Sequence, residues 1–217
     1  MFKRFAAVAT TAFLAVGMTP GHAANVAEFN FTSQSLDPSF SAVNASVGAV
    51  NFLGSTATVG MFVADANVLG VVGKYTASDY FQFAVSPDAG YELALASLSF
   101  RASATWFGAG TQVRSSIDNF TANIFSVPML RGYSGTSNLQ SFSADLSGAA
   151  FQNLTGSTTF RIYTTEAVDE SAVYDDLTLA GSVVPISAPV PEPETYALML
   201  AGLGVLGWAR RRQQRTA

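Results

Sequence analysis

The sequence predicts an all-β protein in which two antiparallel sheets pack as a β-sandwich, with a jelly roll as the expected topology. Hydrophobic residues make up 49% of the 217 residues and include seventeen Phe, which is enough for a sizeable core. Charged residues make up only 12%, about half of the usual share. Short segments of alternating hydrophobicity, separated by Gly, Asn, Asp and Pro, fill the body of the chain.

The alternation predicts nine or ten strands in a domain at residues 25–184. They are expected at residues 29–31, 47–53, 59–63, 80–85, 91–100, 113–117, 120–127, 139–146, 158–164 and 176–183. Residues 80–85 and 91–95 flank a Ser-Pro-Asp-Ala-Gly segment, which predicts a hairpin. The apolar parity then changes from Leu93 and Leu95 to Leu98 and Phe100, which predicts a bulge near Ser97.

The N-terminus has the pattern of a secretory signal peptide at residues 1–24. Lys3 and Arg4 precede an apolar run at residues 5–18, and Ala23 and Ala24 supply the small residues of a cleavage site. An uncleaved anchor helix is the alternative, although the apolar run is short for a membrane span.

The chain has no Cys, and its one His is His22, within the expected signal peptide. The mature body therefore lacks the side chains of Ser–His–Asp or Cys–His catalysis and of ordinary zinc sites. Between residues 25 and 190, five Lys or Arg stand against thirteen Asp or Glu, a net charge near −8. This acidic balance argues against nucleic-acid binding and leaves room for a divalent cation.

The C-terminus has three parts. A Pro-rich stalk and Pro-Glu-Pro motif occupy residues 185–195, a hydrophobic helix is expected at residues 196–209, and a basic cytoplasmic tail follows at residues 210–217. The expected helix is about 21 Å long, against roughly 30 Å for a bilayer core. It can insert in the inner membrane transiently but is short for a permanent anchor.

This layout resembles the PEP-CTERM sorting signal of Gram-negative bacteria. The resemblance implies recognition through Pro191, Glu192 and Pro193, with Arg210, Arg211 and Arg212 on the cytoplasmic side. It further implies cleavage by an exosortase and delivery to the cell surface or an exopolysaccharide and biofilm matrix. The alternative is an ordinary anchor with a Pro-rich stalk.

The body resembles the β-sandwich ectodomains often attached to this signal, in residues 91–100, 113–120 and 160–163. Those ectodomains resemble carbohydrate-binding modules in architecture. The resemblance implies a fold and suggests a glycan ligand without identifying one.

Two candidate ligand sites follow from the residues. Asp175 and Asp176 open the last strand, and Glu28 on the first strand could complete a structural Ca²⁺ site; a solvated acidic turn is the alternative. Trp106 and Phe107 lie beside Gly-rich sequence and could offer a stacking surface to a sugar. Alternatively, both rings cap the core.

Other charged residues have structural or catalytic interpretations. Arg114 with Asp118, and Arg161, are expected either to form ion pairs at sheet ends or to line a polar pocket. Glu166, Asp169 and Glu170 lie close in sequence, but hydrolysis needs two carboxylates facing each other across a substrate.

The expected function is therefore a non-enzymatic, structural or adhesive protein of the cell surface or matrix. A carbohydrate-binding module acting through Trp106 is the first alternative. A carboxylate-dependent polysaccharide hydrolase or lyase is the second.

Overall fold

The computed structural model describes residues 24–53, 58–59, 69–72, 80–104, 110–128, 130, 132, 138–165, 171–186 and 193–213. These residues form thirteen strands and one α-helix. The strands are β1 (Ala24–Phe29), β2 (Phe40–Ser41), β3 (Ala45–Val47), β4 (Asn51–Leu53), β5 (Thr58–Val59), β6 (Leu69–Val72), β7 (Tyr80–Pro87), β8 (Tyr91–Ala104), β9 (Gly110–Ser115), β10 (Phe125–Val127), β11 (Gln140–Asp145), β12 (Thr158–Thr165) and β13 (Ser171–Pro185). The helix is α1 (Pro193–Gln213).

The strands form two sheets in which every pair of named strands is antiparallel. The seven-stranded sheet has the order β11-β8-β13-β1-β2, with β6 also on β13 and β5 on β6. The six-stranded sheet has the order β10-β9-β12-β7-β3, with β4 also on β7. This arrangement confirms the predicted two-sheet antiparallel sandwich, while the jelly-roll topology stays a prediction.

The core lies between the sheets and is rich in Phe. On β7, Phe81 and Phe83 are 1% exposed and alternate with residues on the solvent side. Phe83 meets Phe29 of the other sheet at 5.2 Å between ring centroids, and Phe160 of its own sheet at 5.6 Å. Burial of each such side chain stabilises the fold by roughly 1.5–3 kcal/mol. The abundance of Phe in the sequence is therefore largely explained by the core.

The predicted hairpin between β7 and β8 is wrong. The turn is tight, with the Tyr91 N–H donating to the Asp88 carbonyl at 3.0 Å, but the two strands belong to different sheets. The edges of β7 pair with β12 on one side and with β3 and β4 on the other, while β8 lies between β11 and β13. Alternating hydrophobicity identifies the buried face of each strand. It does not identify the strand's hydrogen-bonding partner.

The predicted bulge in β8 is confirmed. Ala180 of β13 pairs with Ser97 and the next residue, Gly181, pairs with Leu95, so that Ala96 is the extra residue. The extra residue reverses the parity, which lets both Leu95 and Leu98 point into the core. The Ala96 carbonyl still has a hydrogen-bond partner, because it accepts the Leu146 N–H at 2.9 Å.

Several strand boundaries differ from the prediction. In place of the single strand predicted at residues 47–53, the structure has two short strands, β3 and β4, that pair with different parts of β7. Phe31 is buried but lies beyond the end of β1, with a left-handed backbone (φ 49°). β13 begins at Ser171, five residues before the predicted start, because its first half pairs with both β6 and β8. The strands β2 and β6 were not predicted, and the predicted strand positions Met61 and Val63 lie outside the described residues.

Helix α1 is longer than the predicted 196–209. It begins at Pro193, inside the sorting motif, because proline is well tolerated at the first helical position. It continues through Arg210, Arg211 and Arg212, whose charges suit the negative end of the helix dipole. Within the segments that the structure describes, no helix has both the length and the apolar character needed to cross a membrane. Residues 1–23 of the expected signal peptide (1–24), and Pro191 with Glu192, lie outside the described residues, whereas Ala24 begins β1.

A buried tyrosine hydroxyl links the two sheets. Tyr174 of β13 is 1% exposed, and its hydroxyl lies 2.9 Å from Thr164 Oγ1 of β12 and 3.2 Å from Thr111 Oγ1 of β9. Its ring packs edge-on to Phe81 at 4.9 Å. Burial raises the pKa of the Tyr174 hydroxyl, although the two threonine hydrogen bonds act in the opposite direction. The contact holds a polar group of one sheet against two strands of the other.

The backbone at Gly181 leaves no room for a side chain. A Cβ atom there would lie 2.5 Å from the Ala94 carbonyl oxygen and 2.9 Å from the Leu95 Cα atom. We expect Gly181→Ala to reduce the free energy of unfolding by about 1–3 kcal/mol, because backbone atoms beside the bulge must shift. Urea denaturation measures this, and Gly148→Ala is the control because its new Cβ meets nothing within 4 Å. Equal stabilities of the two variants would contradict this account of the bulge.

The raised pKa of Tyr174 predicts a loss of stability at alkaline pH. Above the ordinary tyrosine pKa of 10.0, the unfolded chain releases this proton while the folded protein retains it, so stability falls as pH rises. Tyr174→Phe should lower the free energy of unfolding by about 1–2 kcal/mol near pH 8, through the lost hydrogen bonds. That difference should shrink above pH 10, in urea denaturation compared at both pH values. A constant difference across this range would show that the Tyr174 proton does not contribute.

Candidate functional site

The solvent side of the six-stranded sheet carries an unusual set of side chains. On each strand these residues alternate with the buried ones, and we call their surface the outer face. Its central members are aromatic, amide and guanidinium side chains from three adjacent strands: Tyr80, Gln82, Gln112, Arg114, Arg161 and Tyr163, with Asn51 and Leu53 beside them on β4. None of these residues is needed to fill the core.

Arg161 lies at the centre of the outer face between two aromatic rings. Its guanidinium carbon is 4.3 Å from the Tyr80 ring centroid and 3.5 Å from the Phe120 ring centroid. Its Nε donates to Gln82 Oε1 at 3.1 Å, across the β12–β7 pair. Cation–π contacts of this kind are worth about 0.5–2 kcal/mol each. The guanidinium is therefore held in place, and in the described residues its two terminal nitrogens donate to no protein acceptor.

Arg114 lies directly opposite Arg161 in the β12–β9 ladder. Its three nitrogens reach three different acceptors: Nε donates to Asn123 Oδ1 at 2.8 Å, Nη1 to the Phe120 carbonyl at 3.3 Å, and Nη2 to Gln112 Oε1 at 3.2 Å. The guanidinium also lies 4.9 Å from the Tyr163 ring centroid. The acceptors that Arg114 and Arg161 reach in the described residues are all neutral, so no carboxylate there pairs with either guanidinium group.

The two tyrosines of the outer face contact each other and differ in exposure. The Tyr80 and Tyr163 rings are 5.1 Å apart between centroids and tilted by 53°. Tyr163 is only 7% exposed, because Tyr80 and Arg114 cover it, whereas Tyr80 is half-buried. Leu53, paired with Tyr80 across β4 and β7, is 42% exposed. Tyr80 and Leu53 therefore form the accessible apolar part of this face.

The turn after β9 places Phe120 over Arg161. Asn119 and Phe120 both have left-handed backbones, with φ of 57° and 60°. Such a conformation is common for Asn but costly for a bulky residue such as Phe. The Asp118 carboxylate stabilises the turn by accepting the Ala122 N–H at 2.8 Å and the Thr121 hydroxyl at 3.1 Å. The Ala122 N–H is the main cause that lowers the pKa of Asp118, and Thr121 adds to it.

The ion pairs predicted for Arg114, Asp118 and Arg161 are replaced by other contacts. Within the described residues, Arg114 and Arg161 contact amides and rings, while Asp118 binds atoms of its own turn. The alternative, a polar ligand pocket, stays a prediction. Alternation with buried neighbours places Arg114 and Arg161 each on the solvent side of its own strand, but it does not show that the two strands pair.

The predicted calcium ligands occupy the seven-stranded sheet. The Arg101 Nη1 atom lies 3.0 Å from Asp176 Oδ2 and 3.5 Å from Asp175 Oδ2, while Glu28 accepts a hydrogen bond from Asn25. Among the described residues, no group of three acidic or metal-binding side chains is arranged to hold a metal ion. The calcium site stays a prediction. If the site exists, Ca²⁺ should raise the melting temperature of the protein and a chelator should lower it.

Other predicted site residues cannot be placed. Trp106 and Phe107, expected to stack on a sugar, lie outside the described residues. So do Glu166, Asp169 and Glu170 of the hydrolase alternative. The outer face of the six-stranded sheet is therefore the site for which the structure supplies geometry.

A concavity lies beside the bulge, on the other sheet. Backbone and small side chains form most of its lining, among them Ala94, Gly181 and Ser182. The amide of Gln152 is already used, because its nitrogen donates to the Leu95 and Leu146 carbonyls. This concavity offers neither rings nor charged groups, in contrast to the outer face.

Comparison with known proteins identifies the C-terminal segment. Residues 189–213 match the family model described as the PEP-CTERM protein-sorting motif, which confirms the resemblance noted in the sequence. The motif implies export and sorting to the cell surface. No curated protein matches the chain.

Solved structures with a similar shape are distant in sequence. A CBM4 structure shares 15% identity over 62% of this chain and 88% of its own, with a TM-score of 0.42. The K3 adhesin domain of Lys-gingipain from Porphyromonas gingivalis shares 11% identity over 72% of this chain and 99% of its own, at 0.43. A family 29 carbohydrate-binding module from Piromyces equi shares 10% identity over 64% and 93%, at 0.37.

The position of Phe120 is expected to depend on Asp118. In Asp118→Ala the turn loses its carboxylate acceptor, so the Phe120 ring should move away from Arg161. Ring currents should then shield the Arg161 side-chain protons less, which NMR detects as downfield shifts. Because the Asp118 pKa lies below its usual 3.8, the same change should appear in the unmutated protein only as pH falls below that value.

Asp145→Ala provides a matched control for this experiment. Asp145 stabilises a comparable turn in the other sheet, where its Oδ1 accepts the Ser147 N–H at 2.9 Å. The control should leave the Arg161 resonances unchanged. Unchanged Arg161 resonances in Asp118→Ala as well would mean that the carboxylate does not position Phe120.

Proposed function

We propose that this is a non-enzymatic, exported protein that binds polysaccharide at the cell surface through the outer face of its six-stranded sheet. Its role would be structural or adhesive, within an exopolysaccharide or biofilm matrix. The observation that carries the proposal is the ordered set of rings, amides and guanidinium groups around Arg161, on a sheet face that the core does not need. The sorting motif supports the location.

The chemistry of the outer face matches that of a sugar chain. A pyranose ring presents apolar C–H faces, which pack on aromatic rings, and hydroxyl groups at its rim, which need hydrogen-bond partners. Tyr80 and Leu53 supply apolar contact, while Gln82, Gln112 and Arg161 supply polar groups within the same surface. Since Arg161 already contacts both Tyr80 and Gln82, these three side chains lose little conformational entropy on binding.

Sorting would proceed in two steps. We propose that a signal peptidase removes residues 1–24 of a Gram-negative precursor, and that α1 holds the exported protein at the inner membrane for a limited time. An exosortase would then cut near Pro191, Glu192 and Pro193 and release the domain to the surface or matrix. The three arginines at residues 210–212, in the last turn of α1, would remain on the cytoplasmic side.

Replacement of Tyr80 tests the binding proposal. Tyr80→Ala removes half of the ring pair and one wall of the Arg161 site, so polysaccharide affinity should fall roughly tenfold or more, as for other aromatic anchors. The measurement is biolayer interferometry of the full chain, kept in mild detergent, on immobilised exopolysaccharide of the host.

Tyr91→Ala is the control, because Tyr91 is also a half-buried tyrosine at a strand end, but on β8 of the other sheet. Its affinity should equal that of the unmutated protein. Equal affinity of all three proteins would remove the outer face from the proposal, and absence of any binding would overturn the proposal itself.

The mass of the protein in its host tests the processing. We expect a mature form that lacks the first residues and everything beyond the Pro-Glu-Pro region, found in the surface or matrix fraction. Replacing Pro191, Glu192 and Pro193 together by Ala should leave the C-terminal segment attached and the protein in the inner membrane. Pro185→Ala, at the end of β13, should be processed normally. A retained C-terminus in the unmutated protein would instead identify α1 as a plain anchor.

A further inference from the structure

The two sheets of the sandwich differ sharply in charge. The six strands of the outer-face sheet carry no acidic residue at all and two arginines, Arg114 and Arg161. The strands of the seven-stranded sheet carry five acidic residues and one arginine: Glu28, Glu92, Asp145, Asp175 and Asp176, with Arg101. Although the protein is acidic overall, the strands of the six-stranded sheet therefore carry no negatively charged side chain.

The arginine pair is unfavourable without an anion. Arg114 and Arg161 are direct cross-strand partners, whose Cβ atoms lie about 4.5–5.5 Å apart in such pairs. Like charges in this position repel and destabilise a sheet. These two are also among only five basic residues between residues 25 and 190, so their adjacency is not a result of a basic composition.

Within the part of the chain that the structure describes, no acidic side chain neutralises the pair. The contacts of Arg114 go to Gln112, Asn123 and the Phe120 carbonyl, and those of Arg161 go to Gln82 and two rings. By contrast, Arg101 of the other sheet lies against Asp175 and Asp176. The acidic side chain closest in sequence, Asp118, is used within its own turn.

We propose that the outer face binds an acidic polysaccharide and that Arg114 and Arg161 together receive a sugar carboxylate. Planar guanidinium groups match carboxylates in geometry as well as charge. Tyr80 and Leu53 pack on the sugar ring that carries the carboxylate, and Gln82 serves its hydroxyls. This inference rests on the polysaccharide binding proposed above and specifies its substrate class.

The acidic residues on the strands of the seven-stranded sheet lie across the sandwich from this face. Packed sheets are about 10 Å apart, so these charges lie at least about one Debye length from the ligand at 0.1 M salt, and salt weakens their repulsion. The two arginines act at contact distance, where screening is weak.

The test compares one polymer with and without its carboxylates. Polygalacturonate and the same polymer after chemical reduction of its carboxyl groups are immobilised, and the full chain in mild detergent is measured on both. We expect the acidic form to bind at least tenfold more tightly. Dextran sulfate and dextran form a second pair, which distinguishes a carboxylate from a sulfate ester; the sulfated polymer should bind more weakly than polygalacturonate.

Variants then assign the effect to the arginine pair. Arg161→Gln and Arg114→Gln should each remove most of the preference for polygalacturonate, and Arg161→Lys, which keeps the charge, should retain part of it. Arg101→Gln, on the other sheet, should leave the preference unchanged. The comparison of polymers uses the unmutated protein, so it remains decisive if a variant folds poorly.

Each outcome has a distinct meaning. Equal binding of the acidic and reduced polymers, still weakened by Tyr80→Ala, would overturn the acidic substrate and leave the proposed polysaccharide binding in place. Tighter binding of dextran sulfate than of polygalacturonate would overturn the carboxylate assignment. If the protein binds none of these polymers, and does not bind host exopolysaccharide, both proposals are overturned.

Discussion

The buried hydroxyl of Tyr174 determines which side chains reach the surface of the six-stranded sheet. It bonds Thr111 on β9 and Thr164 on β12, so both threonines must point into the core. Because successive residues of a strand face opposite sides, the residues next to these threonines, Gln112 and Tyr163, must point to the outer side of the sheet. Two positions further along each ladder, the same parity places the two arginines outward. One interaction between the sheets thus fixes the orientation of the whole outer face.

Order on the outer face comes from contacts among its own members. A free arginine side chain carries about 2 kcal/mol of rotamer entropy, which a ligand must otherwise overcome. The two rings beside Arg161 and the amide of Gln82 remove much of that freedom before any ligand arrives. Tyr80 is half-buried by its neighbours, so that part of its side chain stays accessible. The face is therefore both preorganised and open, which a binding surface requires and a purely structural one does not.

Local patterns in the sequence predicted those features that depend on a single strand. Alternation gave the all-β sandwich, and the parity change between Leu95 and Leu98 gave the bulge, because a bulge alters the facing of its own strand. Strand partners were not predictable in this way, as the false hairpin between β7 and β8 shows. The outer face was missed for the same reason. Tyr80 and Arg161 are 81 residues apart in number and become neighbours only through the β7–β12 register.

Two locally unfavourable features coincide at this one surface. Arg114 and Arg161 repel each other across the ladder, and Phe120 adopts a left-handed backbone that bulky residues avoid. Either feature alone could be a tolerated irregularity of the fold. However, the chain has no disulfides, so its stability depends on the core. A surface arrangement that lowers the stability of such a protein is unfavourable unless it has a function. The left-handed Phe120 places its ring on Arg161, so the strain serves to order the charge that an anion would neutralise. A bound anion would therefore account for both features of this surface at once.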